Sequence, residues 1–471
     1  MLPYALLMSW EGSVSLFRTK PITDNAYCDN GLRRCLSATD LTLLGIGAII
    51  GAGIFVLTGV AAATKAGPGI VLSFVVAGSA CAFSAMAYAE LAATVGGCGS
   101  AYGYSYAGFG EIAAWLIGWD LILEYGVATP AVAIGWSGYV NNALTVMGLH
   151  LPPALLNAPQ AGGVVNLPAV LVIVALGILL AGGVHLSARF NAAMVLVKLI
   201  AIAVFIAVAV FNVNPANWQP FMPFGWNGVM SGAALIFFAY IGFDAVSTAA
   251  EEAINPQRDL PIGILASLAV CTIVYVVVSG LLTGIVPYST LNVPSPVAQA
   301  LLDLGHRVAS ALIAAGAIAG LTTVMLVLYY GLTRVFLAMS RDGLLPPVFA
   351  AVHRSTKTPV RIILVSGIFM SVIGGFLPIG TVAELVNIGT LAAFVMVCGG
   401  VIYLRKTRPE LARPFKTPFS PLVPTLGMLF CGYLMFSLPA ITWIRFFVWM
   451  GLGLVVYFAY SRRHSALALN G

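Results

Sequence analysis

Apolar runs of membrane-crossing length recur about twelve times along this 471-residue chain. A helix needs about 20 apolar residues to cross a ~30 Å hydrocarbon core. Runs of this kind cover 41–64, 70–95, 112–140, 167–184, 192–213, 229–250, 262–287, 308–339, 360–376, 381–404, 422–438 and 440–460. Turn sequences part neighbouring runs, as at Ala66-Gly67-Pro68-Gly69 and Pro378-Ile379-Gly380. Only 8% of the residues are charged, against roughly 25% in a soluble domain, whose surface must face water. The chain therefore reads as an all-α membrane protein, because lipid leaves no partner for an open strand edge.

Twelve crossings put both termini on one side, and the cations test that count. Of the 22 lysines and arginines, only Lys65, Arg307 and Arg445 fall on the opposite side, and Lys198 lies inside the fifth span. All the others share the side of the termini, which the positive-inside rule makes the cytoplasm. The expected division is a cytoplasmic tail over 1–40, spans 1–5 over 41–213, spans 6–10 over 214–404, spans 11 and 12 over 405–460, and a cytoplasmic tail over 461–471. The first residues lack the basic start of a signal peptide. No basic stripe interleaved with aromatics points to nucleic acid. The seven cysteines form no CxxC pair and no metal-ligand cluster. No HExxH or nucleophile–base constellation suggests an intramembrane enzyme. A channel would want a repeated ring of carbonyls or charges at its filter, and none repeats here.

Two spans carry interruptions. The first contains Gly45-Ile46-Gly47-Ala48-Ile49-Ile50-Gly51-Ala52-Gly53. Each glycine costs about 1 kcal/mol against alanine in a helix interior. Close helix packing accounts for scattered glycines, but Gly51-Ala52-Gly53 is dense enough for an unwound turn facing a cavity. The sixth span has Gly242 at its middle, followed by Asp244, Ser247 and Thr248. A carboxylate at this depth needs a partner or a polar cavity. The two broken spans are five apart, and an odd-numbered unit must repeat upside down. That is the pattern of carriers with a site at the membrane midplane. One break offers bare amides that suit a carboxylate. The other offers bare carbonyls that suit an ammonium. Together they fit a zwitterion.

Four motifs, in order, resemble the amino acid–polyamine–organocation superfamily: GIGAIIGAGIFVLTG over 45–59, WDLILEY over 119–125, FFAYIGFDAVSTAAEE over 237–252 with Asn255-Pro256 after it, and TRVFLAMSRDGLLP over 333–346. The chain is most similar to bacterial members of the cationic amino acid transporter family, over nearly its whole length. The resemblance implies a fold of five plus five inverted helices with two more at the C-terminus. It implies that the amides of Gly51, Ala52 and Gly53 meet a substrate carboxylate. The α-amino group then meets the carbonyls of Ile49, Phe238, Ala239 and Ile241, with Phe238 also closing the site as a lid. Relatives often carry Ser or Thr at the position of Ala52, so that hydroxyl contact is lost here. The loop at Gly96-Gly97-Cys98-Gly99-Ser100 lacks the family's proline.

Lys198 is the sharpest single residue. It can snorkel, lying about two turns from the start of the fifth span. Alternatively it is a proton site, since burial disfavours the charged form of a lysine. The resemblance implies that this lysine stands where a sodium ion sits in sodium-driven relatives, reaching the first break and the eighth span near Thr322 and Thr323. It also implies that Glu124 faces the same region, so a Lys198–Glu124 interaction, direct or through water, is expected; a plain structural tie between helices is the alternative for Glu124. Asp120, one turn earlier, reads as structural. Asp342 with Arg341 could pair with Glu251-Glu252 and Asn255-Pro256 at a cytoplasmic gate. Residues 297–302 read as a short helix that is either an outer lid or a passive surface.

The expected function is secondary transport of an L-amino acid by alternating access in a cytoplasmic membrane. Proton symport is the first expectation, with exchange as the alternative and no cofactor besides the proton. The pocket would be lined near Met325 and Asn387. Glu124 and Asp244 could suit a cationic substrate, but each has another role, so small neutral amino acids stay equally open. Oligomeric state is not legible.

Overall fold

The computed structural model describes residues 18–19, 36–95, 100–183, 188–353, 356 and 358–469. Most of the expected N-terminal tail, the glycine loop at 96–99, and Cys28, Cys35, His185, Arg354 and Lys357 lie outside the described residues. Among the described residues the structure is helical, apart from one parallel bridge between Leu36 and Ala253.

The helices that carry the fold are α1 (Ala38–Ile49), α2 (Ile70–Val95), α3 (Ser100–Gly108), α4 (Glu111–Val146), α5 (Leu167–Ala181), α6 (Ala188–Ala209), α7 (Gly225–Ile236), α8 (Pro256–Ile285), α9 (Pro296–Asp303), α10 (Arg307–Arg341), α11 (Val360–Phe376), α12 (Ile379–Thr407), α13 (Leu422–Phe436) and α14 (Ala440–Val456). Two of these, α2 and α11, cover the same residues as their apolar runs. Only α3 was not anticipated: its run of tyrosines, glycines and serines has no apolar face.

Among the described residues, eight helical segments are long and apolar enough to cross a membrane, and α5, α11 and α13 are shorter apolar helices of 10–17 residues. One of the eight, Ala38–Val95, has 58 residues. Its packing on α8 shows that the chain doubles back within it. Leu41 and Gly45 meet Gly263 and Ser267, whereas Val71 and Gly78 meet Gly280 and Thr272. The first half thus runs parallel to α8 and α2 runs against it. The reversal falls at Gly67, whose φ of +62° a side chain would strain. The segment Gly225–Ser247 is the most enclosed of the eight, with 94% of its apolar window buried, and Ala440–His464 the least, with 22%. The sixth run therefore lies at the centre of the bundle and the twelfth at its edge.

Local chemistry sets the start of α1. Ser37 caps it reciprocally: the Asp40 N–H donates to Ser37 Oγ at 3.3 Å, and the Ser37 N–H donates to Asp40 Oδ2 at 2.9 Å. Two ionic anchors escaped the sequence reading. Glu90, 2% exposed, takes a bidentate bond from Arg405 at 2.8 and 2.7 Å and the Thr417 N–H at 2.8 Å. Glu111 accepts from Ser465 Oγ at 2.5 Å and from the Tyr457 hydroxyl at 3.1 Å. The described part of 461–471 is therefore not a free tail, since Ser461 also donates to the Leu344 carbonyl at 2.6 Å.

Candidate functional site

Helix α1 stops at Ile49 because Ile50 turns extended, with φ −72° and ψ 97°. The chain then resumes as a π-helical turn over Gly53–Leu57. The sixth run breaks in the same way. A 3-10 turn over Phe237–Tyr240 follows α7, Ile241 is extended at φ −61° and ψ 134°, and Gly242 takes φ +118° before a second 3-10 stretch over Asp244–Glu252. Both interruptions expected from the glycines are present.

A helix end leaves its last four carbonyls without intrahelical donors. At α1 three of these have distinct partners. Ile46 takes the Ile50 N–H at 3.0 Å. Gly47 takes the ammonium of Lys198 at 2.6 Å. Ile49 takes the hydroxyl of Tyr275 at 2.8 Å. The same hydroxyl lies 2.9 Å from the Ala239 carbonyl of the sixth run. It has one proton for two acceptors, so it holds the two breaks at a fixed spacing. On the C-terminal side of the first break, the N–H groups of Gly51, Ala52 and Gly53 make no hydrogen bond among the described residues. The positive end of the outer half-helix thus stays open to an anion.

The breaks touch through glycine. A Cβ on Gly53 would overlap the Cα and Cβ of Ala239. A Cβ on Gly242 would fall 2.9–3.0 Å from the backbone of Ala48. Between them lies a small chamber lined by Ala48, Ile49, Gly51, Ala52, Gly53, Ala128, Val132, Phe238, Ile241, Val324 and Leu328. It includes Ile49, Gly51, Ala52, Gly53, Phe238 and Ile241 from the expected set. Ala239 is not in the lining; its carbonyl turns to Tyr275. The chamber volume is about 10 Å³, room for a single water, so this conformation is closed. Beyond it, α9 packs on the C-terminal half of the first run, where Pro296 meets Gly59. Tyr139 donates to the Phe55 carbonyl at 2.7 Å.

Lys198 is fully buried. It does not snorkel. Its stem lies along Gly320 of α10, where a Cβ would come within 2.9 Å of it. The eighth span does meet Lys198, but through that glycine. Thr322 and Thr323 bond to Ile318 and Gly320 carbonyls of their own helix at 2.7 and 2.8 Å. A cation at the C-terminal end of α1 also complements the helix dipole.

Lys198 and Glu124 make no direct contact; the lysine's partner is the Gly47 carbonyl. Glu124, 1% exposed, sits beside Asp244 and Asp120, and its Oε1 has no partner. Asp244 braces the second break instead: it accepts from the Tyr125 hydroxyl at 2.9 Å and the Gly242 N–H at 3.2 Å. Asp120 is buried with both oxygens unpartnered, which is not the behaviour of a structural tie. Asp342 accepts from Tyr102 at 2.7 Å; the side chains of Glu251 and Glu252 lie outside the described residues. Met325 is buried outside the chamber lining, and Asn387 ties α12 to α7 by donating to the carbonyls of Ala234 and Leu235 at 2.7 and 2.9 Å.

Tyr275 is the residue the sequence concealed, because one tyrosine within an apolar run carries no signal of its partners. Replacing it as Tyr275→Phe removes the one donor that the two buried carbonyls share, a loss of about 1–3 kcal/mol. If that loss falls on the bound state, substrate binding is expected to weaken about 5- to 150-fold, with the protein still folded. Equilibrium binding of radiolabelled substrate to purified protein reads this; unchanged affinity would remove Tyr275 from the site.

A multi-pass helical protein with two broken helices around a closed internal chamber has the form of a membrane carrier. The profile described as amino acid permease matches residues 36–460, and the chain belongs to that family. It is 51% identical to the methylthioribose transporter of Bacillus subtilis (strain 168), over 96% of this chain and 99% of that one. It is also 51% identical to the branched-chain amino acid permease BcaP of the same organism, with the same coverage. Human cationic amino acid transporter 4 is 38% identical over 83% of this chain and 62% of its own length. These are transporters, and the family is not one of enzymes.

Proposed function

We propose that this permease is a proton-coupled symporter of neutral, apolar L-amino acids, working by alternating access in the cytoplasmic membrane with both termini inside. The observation that carries the coupling is the Lys198 ammonium on the Gly47 carbonyl. Gain or loss of one proton there changes the hydrogen bonding of the first break directly. On this reading, Ala38–Val95 crosses twice and the three shorter helices cross once each, which makes twelve spans with the eight long segments. Residues 41–213 and 214–404 form the inverted halves, and 405–460 adds the last two spans.

Substrate class follows from the walls. The side chains around the breaks are Ala128, Val132, Phe238, Ile241, Val324 and Leu328, all apolar. Neither Glu124 nor Asp244 lines the chamber, so a guanidinium or a lysine ammonium would meet no counter-charge there. One relative is named for branched-chain amino acids, which fits such walls. In proteoliposomes with an inward proton gradient, uptake of labelled leucine is expected to be competed by valine and isoleucine, and not by arginine or lysine. Methylthioribose, named for the other relative, belongs in the same competition, since it lacks the zwitterion the break amides suit. Arginine competing as well as valine would overturn the substrate class and leave the coupling claim standing.

A further inference from the structure

Beyond α14 the chain folds back on the helix ends of the face it reaches. A π-helical turn over Tyr457–Ser461, a short turn over Arg462–His464 and a last one over Ala466–Leu469 make up this segment. It is held at four points. Ser461 Oγ donates to the Leu344 carbonyl at 2.6 Å, and the Ala466 N–H donates to the Asp342 carbonyl at 2.9 Å. The His464 carbonyl lies 2.1 Å from where a Cβ on Gly343 would stand. Gly343 also has φ +76°, so a side chain there would be both strained and obstructed. Ser465 Oγ donates to Glu111 Oε2 at 2.5 Å. Both serines are fully buried.

What the segment grips leads to α3. Asp342 accepts from the Tyr102 hydroxyl at 2.7 Å, and Glu111 accepts from the Tyr106 hydroxyl at 3.4 Å. Tyr102 and Tyr106 lie one turn apart on α3, with their rings 5.8 Å apart. The two acidic residues that the segment fixes are therefore the two that hold α3. The other side of α3 faces the second break. Tyr104 meets Tyr88 edge-on at 6.4 Å, and Tyr88 meets Phe243 edge-on at 5.8 Å. Phe243 stands between Gly242, where the break turns, and Asp244, which braces it. α3 also packs on Asp244–Glu252. It is a wedge under the inner part of the sixth run, seated from behind by residues 461–468.

These joints are of a kind that water can replace. Ser465 and Tyr457 bring hydroxyls to Glu111, and water at the aqueous edge donates nearly as well. Glu90 is held differently, by the bidentate fork of Arg405, whose paired geometry water does not reproduce. The side chains of Arg463 and His464 are exposed, so the segment is suited to water once freed. We propose that residues 461–468 are an inhibitory strap. They seat α3 beneath the second break, and their release lets the chamber open toward the face that carries the termini. The strap rests on the alternating-access reading above and adds to it the element that limits opening on one side.

Chamber opening is read in inside-out membrane vesicles as the rate at which a membrane-impermeant maleimide labels Ala128→Cys on the chamber wall. The full chain carrying that substitution is the parent. One variant of it ends after Tyr460, and a second carries Ser465→Asp, which sets another carboxylate against Glu111. Both are expected to label at least about fivefold faster than the parent, the low end of ordinary coupling between two sites. Ser465→Ala, which loses one donor, is expected to fall between. Size-exclusion profiles and circular dichroism melts identify a variant that misfolds. A rate in the folded, shortened chain equal to or below that of the parent would overturn the strap and make the segment a support. Should that chain misfold, Ser465→Asp decides on the same criterion. The labelling rate needs neither substrate nor proton, so it is measured alike whether leucine uptake proves proton-driven or not.

Discussion

Reconstituted protein carrying Lys198→Met still binds its amino acid, but an inward proton gradient no longer speeds uptake. Methionine keeps the unbranched stem that lies along Gly320, so the volume is nearly conserved and the packing cost stays below about 1.5 kcal/mol. What disappears is the donor to the Gly47 carbonyl. That carbonyl then lacks its charged partner, a loss of about 1–3 kcal/mol, which a large helical bundle tolerates. The coupling disappears because no titrating group remains against the first break. Lys198→Ala removes the stem as well and is expected to lose stability further through the cavity it leaves. Comparing the two separates charge from packing. Uptake is measured with the external pH stepped below the internal pH and again with equal pH. The ratio of the two rates is expected to be well above one for wild type and about one for both variants. A Lys198→Met protein with the wild-type ratio would end the proton-site reading.

The second large effect is expected at Gly53. The Cβ of Gly53→Ala would overlap the Cα and Cβ of Ala239. Most of that obstruction is backbone, which no rotamer change relieves. Overpacking of this kind costs about 1–3 kcal/mol where side chains can move, and here one break must retreat from the other. The chamber amides and the facing carbonyls then no longer match one zwitterion. Binding is expected to fall at least about tenfold, the equivalent of 1.4 kcal/mol. The neighbouring Gly51→Ala is the control. Its Cβ would meet only Val324 at an ordinary 3.4 Å, so a much smaller loss is expected. Substrate-induced thermal shift and equilibrium binding read both variants. Equal effects at the two glycines would show that the breaks do not depend on the close approach at Gly53.

Much of this was legible in the chain before any coordinates. Apolar runs mark helices in lipid because hydrocarbon permits few alternatives, so the ends of α2 and α11 match their runs. The breaks were legible because glycine at 51, 53 and 242 is costly in a helix unless the backbone needs it. The partners of the ionisable groups were not. Lys198 and Glu124 share a region by resemblance, yet the lysine turns to a carbonyl and the glutamate stands near Asp244 and Asp120 without contact to the lysine. Spacing along a helix says which face a residue takes, not which of several neighbouring helices stands opposite. For the same reason Tyr275, Glu90 and the docked Ser465 gave no sign of themselves, since each acts on residues far away in the chain.

By itself, the order of residues determined that this chain lives in a membrane, where its helices run, where two of them come apart, and to which superfamily its motifs are similar. These properties are local, set by runs of about twenty residues and by single glycines. Tertiary structure alone decided that Tyr275 bridges the two breaks, that Gly53 lies against Ala239, that Lys198 caps α1 at Gly47, and that the chamber walls are apolar. Those are contacts between distant segments, and a hydrogen bond or a van der Waals contact is decided by a few tenths of an ångström that only the packed bundle sets.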